Sequence, residues 1–182
     1  MSNYEVHAIK YAEREAVRAE HFIGGDPHDN TPMPMDYFVW LIRNEEGREW
    51  IVDTGFEQDD ALARGRTLLR TASEGVGLLG VEPGSVTDVI MTHFHYDHAG
   101  GVNQFPNATF HAQDQEMYFA TGRDMTRKAF NHAFNVRHVQ DLVGRVFADR
   151  VTFHDGTTQL APGLTLHLIG GHTRGLQVVR IE

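Results

Sequence analysis

Between Asp88 and Phe105 the chain reads DVIMTHFHYDHAGGVNQF, so an apolar run empties directly into His93, His95, Asp97 and His98. In an extended strand successive side chains point to opposite faces. His93, His95 and Asp97 therefore share one side at steps of roughly 6.5–7 Å, and they converge on a point only if the strand stops there and the chain curls. Gly100 and Gly101 follow at once, and glycine accepts backbone angles that other residues resist, which supplies the bend. Four ligand-type groups crowded into one bend call for a cation to relieve them. His98, beside Asp97, can face a neighbouring point, so the cluster can serve two cations.

The chain contains no cysteine, which removes disulfides, thiolate nucleophiles and sulfur ligands together. Any metal is then held by nitrogen and oxygen, a set that suits zinc and is compatible with manganese, iron or cobalt. The isolated His7, His21, His28, His132 and His138 read as surface or structural residues, and His111 and His167, on strand-like runs, as structural. Acidic residues outnumber basic ones by 25 to 16, a net charge of -9, which repels phosphate backbones and anionic lipid. Neither nucleic acid nor membrane is an expected partner. The start MSNYEVHAIKYAERE lacks an apolar signal core and runs such as YFVWLI are too short to span a bilayer, so a cytoplasmic location is expected.

Length and the lack of repeats or linkers point to one domain over residues 1–182. YFVWLIRNEEGREWIVDTG predicts a hairpin turning at Asn44–Gly47 and ending at Asp53. EQDDALARGRTLLRTA reads as a helix interrupted by Gly65, VTDVIM as a buried strand, NATFHA as a strand and QDQEMYFATG as a helix ended by Gly122. The segment RDMTRKAFNHAFNVRHVQDLVG carries Phe130, Phe134, His138 and Leu142 at intervals of four, which predicts an amphipathic helix, with a partly ordered lid as the other reading. Short strands follow, separated by HDGT, APG and GGHTRG. The last run, LQVVRIE, would leave an open apolar edge.

THFHYDHAGG resembles the signature loop of the metallo-β-lactamase fold superfamily, and two more pieces match in order. VDTG at residues 52–55 is similar to the superfamily's strand-end Asp-Thr-Gly, and GGHTRG at 170–175 to its later histidine loop. The resemblance implies an α+β fold, the metallo-β-lactamase-like αβ/βα sandwich lacking its C-terminal portion. It implies that His93, His95 and His172 bind a first metal, that Asp97 and His98 belong to a second, and that Asp53 supports the metal loop from behind. Residue context also allows His172 to be a plain turn residue and Asp53 a cap on the turn before Gly55. Two zinc ions would hold a hydroxide between them and polarise a carbonyl, with Asp97 orienting the attacking oxygen.

Among the branches, DTGF, GGVNQFPNATFHAQDQEMYFA and HDGTTQLAPGLTLHLIGGHT look most like the quorum-quenching N-acyl homoserine lactonases, from about Asp36 onward. The resemblance thus implies a hydrolase that opens a small lactone. A hydroxyacylglutathione-type thioesterase is the alternative, but its GHTPGH loop has proline and histidine where Arg174 and Leu176 stand here. A non-catalytic metal-binding domain is the other alternative. The stretch 31–38 (TPMPMDYF) with Phe130 and Phe134 could line an acyl pocket or pack in the core, and Arg174 could meet a substrate carboxylate or sit exposed. The family's later bridging aspartate and final histidine have no counterpart in the ten residues after His172, and Glu182 does not fit either place. A shortened chain is expected, ahead of completion by a second subunit in a homodimer or a single-metal form.

Overall fold

A computed structural model describes residues 3–182. Its centre is a seven-stranded sheet in the order β4-β1-β2-β3-β5-β6-β7, against which a three-stranded sheet β10-β9-β8 packs. The large sheet comprises β1 (Tyr4–Arg14), β2 (Met35–Asn44), β3 (Glu49–Val52), β4 (Thr67–Leu68), β5 (Asp88–Ile90), β6 (Thr109–Gln113) and β7 (Val151–His154); the small one β8 (Thr157–Ala161), β9 (Leu164–Leu168) and β10 (Gln177–Ile181). The β4-β1-β2-β3 half is antiparallel, β2 and β3 being joined by a tight hairpin, whereas β3, β5, β6 and β7 run parallel. Parallel strands need crossovers, and the chain provides them as α1 (Gln58–Arg64), α2 (Ala72–Gly77), α3 (Tyr96–Ala99), α4 (Asp114–Thr121), α5 (Lys128–Asn131) and α6 (Val136–Phe147).

Strand alternation divides the core in two. Tyr37, Val39 and Leu41 of β2 point to the helical side, where they join Val89, Phe110, Val76, Phe119 and Leu142. Ile42, Trp50, Val52 and Ile90 point the other way and meet Leu164 and Leu166 of the small sheet. The layers are therefore helices, large sheet and small sheet, the mixed α and β architecture expected from the sequence. A groove of about 420 Å³ remains beside β10, walled by Val6, Trp40, Ile42 and Val52 of the large sheet and by Val178, Val179 and Ile181. No helix among the described residues is long and apolar enough to cross a membrane.

The hairpin, the central strands β5 and β6, α4 and the closing strands lie where the sequence puts them. Two helical expectations need correction. Gly65 ends α1 rather than interrupting it: at φ 62 its amide closes onto Ala61 and Leu62, and the chain leaves the left-handed cap for the short strand β4. The predicted helix from Arg123 to Gly144 is broken into a 3-10 turn, α5 and α6. The break falls at Asn135, whose side chain accepts the Arg137 amide and so caps a new helix. Only His138, Val139 and Leu142 keep the buried helical spacing.

Candidate metal centre

The parallel strands deliver the site. Ile51 pairs with Val89 and Val52 with Ile90, so β3 and β5 end level, and Asp53, directly after β3, meets Thr92, two residues beyond β5, at the sheet's C-terminal edge. This is where open parallel sheets place their ligands. Asp53 adopts φ 64, a left-handed angle uncommon for any residue with a side chain. Its carboxylate does not cap its own turn. It reaches across to the end of β5, where Oδ1 accepts the Thr92 amide at 2.7 Å and Oδ2 accepts the Thr92 hydroxyl at 2.8 Å. Oδ2 also lies 2.7 Å from Nδ1 of His98.

The histidine loop is stitched to the same turn. The amide and hydroxyl of Thr54 both donate to the His98 carbonyl, at 2.7 and 2.9 Å, and the Tyr11 hydroxyl from β1 donates to the Asp97 carbonyl at 2.7 Å. Gly100 and Gly101 are required here, though not for unusual dihedrals as their sequence suggests: their φ values are -77 and -103. The reason is close approach. A Cβ on Gly101 would lie 2.3 Å from the Thr54 carbonyl oxygen, and one on Gly100 2.7 Å from Cα of Phe56.

The curl brings His93 and His95 together, and the 170–175 loop adds His172 from beyond β9. One ring nitrogen from each of the three lies within 4.8 Å of the others, with Nε2 of His93 3.1 Å from Nδ1 of His95. His172 is thus no isolated turn residue. His93 and His95 are buried and His172 is exposed, so the set opens to solvent on one side. Burial first, then the neighbouring imidazoles, push His93 far below the usual histidine range and His95 down to about 3. Both rings are therefore neutral and offer lone pairs, the state a divalent cation requires. Three imidazole nitrogens fit zinc or a similar ion.

Asp97 and His98 stand beside this set and not in it. Nε2 of His98 lies 3.6 Å from Oδ2 of Asp97, and the His98 and His93 rings are 4.0 Å apart. Burial disfavours a charge on His98, but the carboxylates of Asp53, Asp97 and Glu116 outweigh it and lift the imidazole to about 9.

Of the substrate candidates, Phe134 comes closest, its ring 4.7 Å from that of His95 and edge-on to it. Phe130 is half-exposed and touches Phe119 instead. In the 31–38 stretch, Tyr37 is buried with its hydroxyl 3.4 Å from that of Tyr96, and Pro32 bridges to Val17. Arg174 pairs with Asp124 at 2.9 Å. Glu182 pairs with Arg180. His138 binds Asp60 at 2.9 Å, and His111 joins Asp88 to His154 through both ring nitrogens, so both are structural, as expected.

Two residues that hold the site had not stood out in the sequence. Glu116 of α4 is buried and accepts the amides of Phe94 and Gly175 at 2.8 and 3.0 Å. Burial raises its pKa, and the neighbouring Thr173 hydroxyl, these amide bonds and the charge of His98 pull it back only in part. Gln177, fully buried, donates to the carbonyls of Met91 and His111 and receives a bond from Gln113. Its signal was available: alternation in β10 sets Gln177 on the inward face with Val179 and Ile181, and a polar residue there must find partners.

The fold has counterparts among known proteins. A crystal structure of a quorum-quenching N-acyl homoserine lactone lactonase superposes with a TM-score of 0.72 at 21% identity, covering 100% of this chain and 69% of that one. A probable metallo-hydrolase of Mycobacterium tuberculosis is 28% identical over 165 residues, which are 79% of this chain and 52% of the relative. The N-acyl homoserine lactonase AiiB of Agrobacterium fabrum is 33% identical over 115 residues, 57% of this chain and 39% of that protein. The matched stretch thus spans 52% and 39% of these two curated relatives. Residues 33–182, which take in β2 through β10 and every histidine of the site, match the metallo-beta-lactamase superfamily, and the chain belongs to that superfamily.

Proposed function

We propose that this chain carries the first metal site of a metal-dependent hydrolase that opens a small lactone of the N-acyl homoserine type. The observation that carries the reading is the approach of three imidazole nitrogens, from His93, His95 and His172, to within 4.8 Å of one another. The likeness to lactonases supports the substrate class. The loop departures at Arg174 and Leu176 count against a glutathione thioesterase, and they differ from the commoner lactonase loop as well.

His93, His95 and His172 are the proposed ligands of one ion, and Asp97 and His98 those of a second, zinc being the expected metal. A bound ion of this kind supplies Lewis acidity toward an ester carbonyl and lowers the pKa of water. The chain's own residues do the rest. Asp53 accepts a hydrogen bond from Nδ1–H of His98, which leaves Nε2 as the nitrogen for the ion. With the surrounding carboxylates lifting His98 to about 9, the Nε2 proton must be displaced for the ion to bind there. Asp97, with its side chain 23% exposed, is the carboxylate open to a substrate. It is assigned to orient the attacking water, accept its proton at Oδ2 and return it to the leaving alkoxide. Phe134 against His95 gives the site an apolar wall that excludes water from one side.

The test is a substrate panel on zinc-loaded protein, with acyl homoserine lactones beside glutathione thioesters. Lactone opening that disappears in His95→Ala supports the proposal. Preference for thioesters would overturn the substrate class, and one tightly held metal with no turnover of any ester, thioester or lactone would make the chain a binding module.

A further inference from the structure

The histidines come from two loops far apart in sequence, and one side chain spans them. Glu116 lies in the first turn of α4 and is 1% exposed. Its Oε1 accepts the amide of Phe94, the residue between His93 and His95, and its Oε2 accepts the amide of Gly175, three residues after His172. Neither Phe94 nor Gly175 belongs to a helix or strand. The loops are tied at their outer ends, by the Gln177 amide on the Thr92 carbonyl at 2.9 Å and the Gln177 side chain on the Met91 carbonyl at 2.8 Å, whereas Glu116 bonds within the histidine-bearing turns themselves. The second loop also rests directly on α4: a Cβ at position 175 would fall 2.1 Å from the Glu116 nitrogen. Only glycine permits that approach.

Burying a carboxylate is costly unless its oxygens are bonded. Both oxygens of Glu116 are committed to main-chain amides, which leaves it poorly placed to be a ligand and well placed to set the distance between loops. We propose that Glu116 is the positioning residue of the three-histidine centre: it holds the His172 loop against the His93–His95 loop so that the imidazoles are arranged before an ion arrives. This rests on the reading of the three histidines as metal ligands.

The experiment uses Glu116→Gln, which keeps the side chain's size but replaces one acceptor by an amide group that faces an N–H. Zinc affinity, measured by chelator competition, is expected to weaken by about 10–100-fold, and the visible spectrum of cobalt-loaded protein is expected to change, while the far-UV circular dichroism stays that of the wild type. A folded variant with unchanged affinity and spectrum overturns the proposal. Wild-type protein without metal gives a second arm that needs no substitution. The amide protons of Phe94 and Gly175 should exchange with deuterium far more slowly than that of the exposed Gly171, and exchange of either at the Gly171 rate would overturn the proposal even if the variant failed to fold. Wild-type protein that binds no zinc overturns the metal reading itself, whereas wild-type binding with an unaltered variant overturns the role of Glu116 alone.

Discussion

Oδ2 of Asp53 lies 2.7 Å from Nδ1 of His98, and the same carboxylate holds both the amide and the hydroxyl of Thr92. One side chain at the end of β3 therefore fixes the start and the end of the histidine loop. It does so from φ 64, a backbone position that costs of order 1–3 kcal/mol for a residue with a Cβ. The three bonds offset that strain.

Asparagine tolerates the left-handed angle but has a single side-chain acceptor oxygen. Asp53→Asn should therefore release one arm of the clamp and lower unfolding stability by about 1.5–3 kcal/mol, measured by urea denaturation at constant pH. A loss below about 0.5 kcal/mol, the level of an ordinary surface substitution, would show that the carboxylate is not holding the loop.

Asp88 gives the fold an acid limit. Burial works to raise its pKa, but the bonds from His111 and Thr87 and the charge of Arg48 prevail and hold it at about 2, below the ordinary 3.8. A carboxyl depressed in the folded state contributes its stability above the unfolded value and loses it as pH falls through the folded one. On the order of 2 kcal/mol should therefore vanish between about pH 4 and pH 2. Denaturation of wild type and Asp88→Asn across that window should give a stability difference that is full above pH 5 and shrinks toward pH 2. A difference independent of pH contradicts the assignment.

Two glycine-to-alanine substitutions should act in opposite directions. At Gly101 the new methyl would meet the Thr54 carbonyl at 2.3 Å, and overpacking against backbone costs about 1–3 kcal/mol or more. At Gly144, inside α6, nothing lies within 4 Å, so alanine should stabilise the helix by about 0.5–1 kcal/mol. Thermal melts of both decide it, and destabilisation at Gly144 would contradict the packing described for α6.

Arg174, two residues after His172, pairs with Asp124, but its side chain is 64% exposed. Exposed pairs contribute little. Arg174→Ala should change the unfolding free energy by less than about 1 kcal/mol, and a larger loss would mean that the pair is the latch between the His172 loop and the segment from Arg123 onward.

The strands β2, β3 and β5 to β10, their turns and the three histidines were legible in the sequence through β-branched runs, glycine punctuation, the HxHxDH spacing and the GGHTRG loop, whereas β1 (Tyr4–Arg14), with its charged alternation, and the two-residue β4 were not. The break at Asn135 was not, since Phe130, Phe134 and His138 keep a fourfold spacing across it and only the capping bond to Arg137 reveals the new start. Gly100 and Gly101 were recognised as the bend for the wrong reason, because close approach to Thr54 and Phe56 is a tertiary fact. Glu116 remained hidden as one acid among many, its partners lying 22 and 59 positions away in the chain. The conformation of Asp53 likewise depends on Thr92 and His98, which sequence proximity could not have paired with it.

Zinc K-edge X-ray absorption on the loaded protein tests the central claim most directly. Wild type should show three imidazole nitrogens at about 2.0–2.1 Å, and His172→Ala should lose one of them with a weaker hold on the ion. A wild-type spectrum of oxygen ligands without imidazole scattering, or one that His172→Ala leaves unaltered, would contradict the account.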